Sequence, residues 1–192
     1  MKVITLSREY GAGGHSIGTE VAKRLGIEFY DKDIIRAVAK ESGIDEELIA
    51  KEGEEISRGD AFIRAITPIS YDQKDVIFNV EKEVIAKIAS KGPCVILGRC
   101  ANITLAQYGI DSLNVFVYGD MIHRAARVGE LINSTNPTEI SKTMKKIDHD
   151  RHSYYTYHTG KHWGNQDDYH LMLDSGILGY EKCIEIICEA AK

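Results

Sequence analysis

A run of β-branched and apolar residues, Val3 to Leu6, passes through Gly11, Gly13 and Gly14 into a segment whose Ile17, Val21 and Leu25 recur on one helical face before Gly26. That order predicts a strand, a tight loop, a helix over residues 16–25 and a glycine stop. Glycines at such a turn let backbone N–H groups point inward around an anion, and the helix start adds its positive end. The segment therefore reads as a phosphate-binding loop, with tight strand-to-helix packing as the alternative. The usual loop carries a lysine immediately before a serine or threonine, and no lysine lies between Ser7 and Gly18. Aligned on Gly11, Ala12 and Gly13, Gly14 stands in the lysine's place and Ser16 supplies the metal-binding hydroxyl. Aligned on Ser16 as the residue after the lysine, His15 stands there.

The chain has 192 residues, 43% of them hydrophobic, enough for one domain with a sizeable core. A net charge of -5 argues against a general nucleic-acid partner. With neither a signal-like start nor a run near 18 apolar residues, the expectation is a cytoplasmic protein that makes no membrane contact. Cys94, Cys100, Cys183 and Cys188 lack C-x-x-C spacing and sit in apolar stretches, as reduced core residues do. Oligomeric state is not legible.

Periodicity predicts strands at residues 2–6, 28–30, 94–97, 113–118 and 170–173, alternating with helices. Helical patterns fill residues 32–42 and 45–51, residues 52–70 read as a loop or lobe, and a long helix follows from Tyr71 to Ser90. Its Val76, Val80, Val84, Ile85 and Ile88 share the buried side. Further helices are expected over residues 100–107, 121–132, from Asn136 toward Tyr157, and 179–191. Asn136, Pro137 and Glu139 suit an N-cap, a first helical position and a first-turn acid. The result is an α/β fold with a mostly parallel sheet, whose ligands sit at the carboxyl ends of its strands.

Arg99 follows a buried strand and offers a planar fork to phosphate, or else caps an ordinary turn. Arg124 and Arg127, three apart on one helix, are either phosphate contacts or a solvated face. Between Lys145 and Gly164, basic, hydroxyl and aromatic groups alternate. Asp148, Arg151 and Tyr155 share one helical side there, so Asp148 is placed to orient Arg151 toward an anion. Such a segment suits a lid over a polyphosphate, or a partner surface. His158 and His162 are spaced for one face, but Gly160 intervenes, which favours a solvent-facing pair over a zinc site. Trp163, the one tryptophan, is read as a packing anchor.

The loop from Ser7 to Gly18, the Gly98-Arg99 strand end, the stretch Asp150 to Tyr155 and the run Tyr169 to Ser175 together resemble the cytidylate kinase-like family across nearly the whole chain. The resemblance implies a three-layer P-loop core with a parallel sheet in a single domain, residues 1–192. It also implies a helical monophosphate-binding insert at about residues 31–75 and a lid at about residues 145–168. The implied activity is phosphoryl transfer from ATP, with Mg²⁺, to a nucleoside monophosphate, CMP or dCMP. Carried over, Arg8, Gly11, Ala12, Gly13, Gly14, His15, Ser16 and Ile17 surround the nucleotide, and Ser16 holds the metal. Arg99 grips the acceptor phosphate, Arg151 is a lid arginine, and His15 joins these two as a catalytic candidate. Two departures stand out: the loop lysine is missing, and Cys100 replaces the aspartate after Gly-Arg. Arg8, His15 and Arg151 are the candidates for the missing charge. A nucleotide-binding sensor or partner protein, and a kinase for another small acceptor, remain alternatives.

Overall fold

Among the described residues five strands, all parallel, form one sheet in the spatial order Glu28–Tyr30, Cys94–Leu97, Val3–Arg8, Ser112–Tyr118 and Leu171–Asp174. The computed structural model describes residues 2–31 and 69–192. The strands are β1 (Val3–Arg8), β2 (Glu28–Tyr30), β3 (Cys94–Leu97), β4 (Ser112–Tyr118) and β5 (Leu171–Asp174). The described helices are α1 (Gly14–Leu25), α2 (Ile69–Ser90), α3 (Ala101–Gln107), α4 (Met121–Leu131), α5 (Pro137–Thr159) and α6 (Ser175–Ala190). Of the insert expected at residues 31–75, the part from 32 to 68 lies outside the described residues, as do the helices and loop expected there.

Continuous apolar strands require cover on both faces, because alternate side chains point to opposite sides. On one face Ile4, Leu6, Val95, Val115 and Val117 meet α1 and α6 through Ile17, Val21, Ile184 and Ile187. On the other, Val3, Cys94 and Ile96 meet α2 and α3 through Val84, Ile85, Ile88 and Leu105. The expected stripe of α2 thus faces the sheet from Val80 to Ile88, while the side chain of Val76 is not among those described. α4 packs on α5 through Val128, Ile140 and Met144.

Two element boundaries differ from expectation in ways that matter. β1 extends through Arg8, because Ser7 and Arg8 continue the ladder against Phe116 and Val117 of β4. The last helix begins at Ser175 rather than Gly179, capped by the Asp174 carboxylate, which accepts from the amides of Gly176 and Ile177. Gly179 (φ 73, ψ 161) interrupts it, which is why the helical pattern in the sequence begins only there. All four cysteines are free. Burial alone pushes the Cys94 thiol up to about 11, consistent with a reduced core residue. Among the described residues no helix is long and apolar enough to cross a membrane.

α1 ends at Gly26 and starts after Gly13, both in the left-handed region, at φ 66 and 81. A side chain at Gly26 would meet nothing within 4 Å, whereas a Cβ at Gly13 would fall 2.2 Å from Cζ of Tyr180 on α6. Gly26→Ala is therefore expected to cost about 1 kcal/mol of backbone strain. Gly13→Ala adds overpacking to the same strain and should cost roughly 2–5 kcal/mol. Urea unfolding of the two variants checks the difference.

Candidate active site

The loop between β1 and α1 is held from behind. A side chain at Gly11 (φ 85) would lie 2.7 Å from the Arg124 carbonyl oxygen, so this glycine permits close approach to α4. The Ala12 carbonyl accepts from the buried Ser175 hydroxyl at 2.8 Å. Arg124, itself buried, makes the largest set of contacts. Its Nε donates to the Gly119 carbonyl (2.9 Å), and its Nη1 reaches the Tyr10 carbonyl (3.1 Å) and Oδ2 of Asp148 (2.5 Å). Asp148 also accepts from the Tyr10 amide at 2.7 Å, and Glu9 accepts from the Gly119 amide at 3.2 Å while lying 3.3 Å from Nε of Arg124. Burial raises the Glu9 carboxyl above its ordinary range, and the Arg124 charge opposes that shift.

This network refines one expectation and decides part of another. Asp148 holds Arg124 and the Tyr10 amide, and bears on Arg151 through the helix α5 that they share. Arg124 is a buried scaffold cation, while Arg127 lies more exposed beside Glu130 at 2.8 Å and borders the chamber over the loop, so the choice is made for Arg124 alone.

Two chambers open above the strand ends. One, of about 210 Å³, lies over the loop and is bordered by Gly11, Gly13, Gly14, His15 and Ser16. The other, of about 240 Å³, lies over the end of β3 and is bordered by Gly98, Arg99, Asp150, Tyr154 and Trp163. Arg8, Asp31, Leu97 and Arg151 border both. The chambers flank β1, whose sequence neighbour β2 lies beyond β3, the kind of topological crevice where parallel sheets bind ligands.

The first chamber suits a polyphosphate. α4, α5 and α6 each have a side-chain cap, from Asp120, Asn136 and Asp174. α1, like α3, has none, and no acidic residue occupies its first turn. Its first amides are thus left to an anion, and the helix dipole favours one there. Ser16 is exposed at this point, which fits a hydroxyl ligand to Mg²⁺. That ion takes few protein ligands beside phosphate and water, and among the described residues no cluster of three metal-binding side chains occurs.

Ala12 and Ile17 do not join the site. Both side chains are fully buried, the Ala12 amide donates to the Glu9 carbonyl (3.3 Å), and the Ile17 amide donates to that of Gly13 (2.9 Å). His15 borders the loop chamber, its Nε2 3.7 Å from Asp31 and its ring edge-on to Phe29. Asp31, which borders both chambers, was not singled out in the sequence; its signal is a carboxylate directly after a strand. Arg151 donates from Nη1 to the Arg8 carbonyl (3.0 Å) and stands over the Tyr10 ring, 5.6 Å from its centroid.

The floor of the second chamber is a strained turn. Gly98, Arg99 and Cys100 are successive left-handed residues, with φ of 79, 55 and 53. Arg99 is only 11% exposed, and its Nη1 lies 3.4 Å from Oε1 of the fully buried Glu81. The Tyr154 hydroxyl donates to the other Glu81 oxygen at 2.5 Å. Cys100 turns away into an apolar cluster with Phe78, Tyr154 and Tyr155. Burial raises its thiol far above the ordinary range, followed in importance by the Glu81 charge, so it is no nucleophile.

The segment expected as a lid is anchored to the body. α5 runs unbroken to Thr159, with Tyr154 and Tyr155 buried, and the Trp163 ring meets Phe116 edge-on at 5.2 Å. His158 and His162 part company: His158 stacks on Phe78 at 3.9 Å, and His162 lies beside His152 at 4.6 Å. Trp163 is the packing anchor expected, and it also borders the second chamber.

Removal of Arg124 leaves Asp148 and Glu9 facing each other partly buried. Arg124→Leu is expected to lower unfolding stability by about 3–5 kcal/mol, the cost of breaking a buried ion pair from one side. Arg127→Leu should change it by less than about 0.5 kcal/mol, as exposed pairs do. Chemical denaturation of both variants is the check.

Solved structures share this architecture. An uncharacterized protein from Eubacterium ventriosum ATCC 27560 superposes with a TM-score of 0.75 at 22% identity, covering 100% of this chain and 98% of its own. Shikimate kinase from Acinetobacter baumannii, in complex with shikimate, gives 0.53 at 17% identity over 99% of this chain and 92% of its own. A gluconokinase from Sinorhizobium meliloti 1021 gives 0.55 at 14% identity over 99% and 93%. At these identities the likeness establishes the fold, that of the P-loop kinases. No curated protein matches the chain. The sequence itself matches the cytidylate kinase-like family over residues 3–177, nearly the whole length of strands, loop and arginine-bearing turns described above, and the chain belongs to that family.

Proposed function

We propose that the protein transfers a phosphoryl group from ATP, with Mg²⁺, to a nucleoside monophosphate, CMP or dCMP. The observation that carries this reading is the pair of chambers meeting at Arg8, Asp31, Leu97 and Arg151. Donor and acceptor would lie on either side of that junction, where transfer between them needs positioning and charge stabilisation more than covalent chemistry. Bound ATP supplies the phosphoryl group, and Mg²⁺ offsets its charge. The α1 amides and Ser16 would hold the phosphates and the metal, Arg99 the acceptor, and Arg151 the charge that builds up between them.

One observation favours a second acceptor class. Asp31 and Asp150 place carboxylates on the acceptor chamber, and Glu81 offsets the Arg99 charge from below. Carboxylates suit hydroxyl groups and repel a phosphate. A kinase acting on a small polyhydroxylated acceptor that carries less negative charge than a nucleoside monophosphate, the class to which shikimate and gluconate belong, is therefore the rival.

ADP release from MgATP separates the two. A panel of nucleoside monophosphates is compared with shikimate and gluconate, with Ser16→Ala as the blank. Turnover with CMP or dCMP that disappears in the blank is expected; turnover with the hydroxy acids alone would transfer the assignment to the rival. Arg99→Ala is a poor probe, since it strands the buried Glu81 and destabilises the fold. Arg99→Lys keeps a cation over Glu81 while removing the fork, and should raise the acceptor KM about 10-fold or more with little change in that for ATP. Equal losses for both ligands would remove Arg99 from the acceptor site. Arg151→Ala should lower kcat by on the order of 100-fold, the effect of a charge felt chiefly in the transition state. An effect confined to KM would assign it to binding instead.

A further inference from the structure

Resting on the kinase reading above, we propose that Arg8 takes the place of the missing loop lysine, delivering its charge to the nucleotide's terminal phosphates from the strand rather than from the helix. The missing side chain of Gly14 is the starting point. A Cβ at this first residue of α1 would fall 2.6 Å from both Cβ and Cγ of Arg8. The stem of Arg8 therefore occupies the space into which a residue at position 14 would project, and no lysine can stand there while Arg8 does. At the far end of the same side chain, Nη1 lies 2.6 Å from where a Cβ of Gly98 would be. Gly14 and Gly98 together clear a channel for one arginine, which starts beside the phosphate loop, ends at Gly98 on the edge of the second chamber, and borders both chambers along its length.

The other two candidates are disposed differently. The His15 side chain is 64% exposed and directed to Asp31. Arg151 donates to the Arg8 carbonyl, so it buttresses the backbone that carries Arg8 rather than replacing it. The extra length of β1 is part of the device. Because the strand ladder continues to Arg8 and Val117, the side chain leaves from a hydrogen-bonded strand and not from a free loop. Arg8 lies two residues after Leu6, on the same face of the strand, and Leu6 is fully buried. A planar fork held on a rigid strand grips phosphate oxygens in pairs, where an ammonium offers a point charge.

Calorimetric titration with MgATP and with AMP tests this independently of any acceptor. Arg8→Gln keeps the stem over Gly14 and removes the charge. It should weaken MgATP binding by about 10- to 100-fold while leaving AMP, which lacks the terminal phosphates, nearly unchanged. Arg8→Lys should retain part of the affinity. In the double variant Arg8→Gly with Gly14→Lys, the stem is gone and the lysine has room. It should recover most of the MgATP affinity, whereas Gly14→Lys alone should lose it. Unchanged MgATP binding in Arg8→Gln, or an equal loss for AMP, would overturn the role of Arg8 and leave the kinase reading standing. Failure of the wild-type protein to bind MgATP at all would overturn both.

Discussion

The phosphate loop, the end of β4 and helix α5 are all referenced to one buried guanidinium. Arg124 joins the phosphate loop at Tyr10, the end of β4 at Gly119 and helix α5 at Asp148, within hydrogen-bond distance of each. A group that is charged at any pH and has five donors can satisfy three structural elements at once without leaving a buried polar atom unmet. Asp148 and Arg151 are three residues apart on α5, so fixing the first sets the azimuth of the second. The same rotation turns Tyr154 toward Glu81 and Asp150 toward the acceptor chamber. An error of a few degrees at Arg124 would be felt at both chambers.

Charge at this site is held in compensated groups. Arg124 faces Asp148 and Glu9, Arg99 faces Glu81, and Lys146 pairs with Asp150 at 3.1 Å. A buried cation without such a partner would be too costly to keep. Binding of a polyanion then competes with groups already in place, which favours ligands that bring several negative oxygens together. The uncapped start of α1 adds attraction without a mobile side chain, and a fixed dipole needs no reorganisation when a ligand arrives.

Much of this was legible in the chain. The glycine cluster, the unbroken apolar strands and the helical stripes determine a parallel sheet and the loop at its strand ends, because burial on two faces leaves a strong pattern. Ala12 and Ile17 were less legible: both stand in the motif's sequence, yet their side chains are buried and their amides bond to Glu9 and Gly13. The roles of Asp148 and Arg124 were hidden for another reason. Helical spacing shows which side chains share a face, but not which distant backbone carbonyl lies opposite. Glu81 illustrates the same gap, since an acid on an amphipathic helix looks solvent-facing until the arginine turn beyond β3 closes over it. The place of Arg8 depended on a strand two residues longer than its apolar run.

Because Glu81 is fully buried beneath Arg99 and bonded to Tyr154, positions 81, 99 and 154 form a single unit of variation. Drift at any one of them exposes the other two to a loss larger than ordinary surface change, so relatives that diverge in acceptor preference have little freedom to do so at the chamber floor. Novelty is channelled to the rim, where Ile147 borders the same space with no part in a buried ion pair or in the packing of Trp163 on Phe116. The architecture thus separates a constrained base from a freer border, and directed changes of substrate would meet the least resistance there.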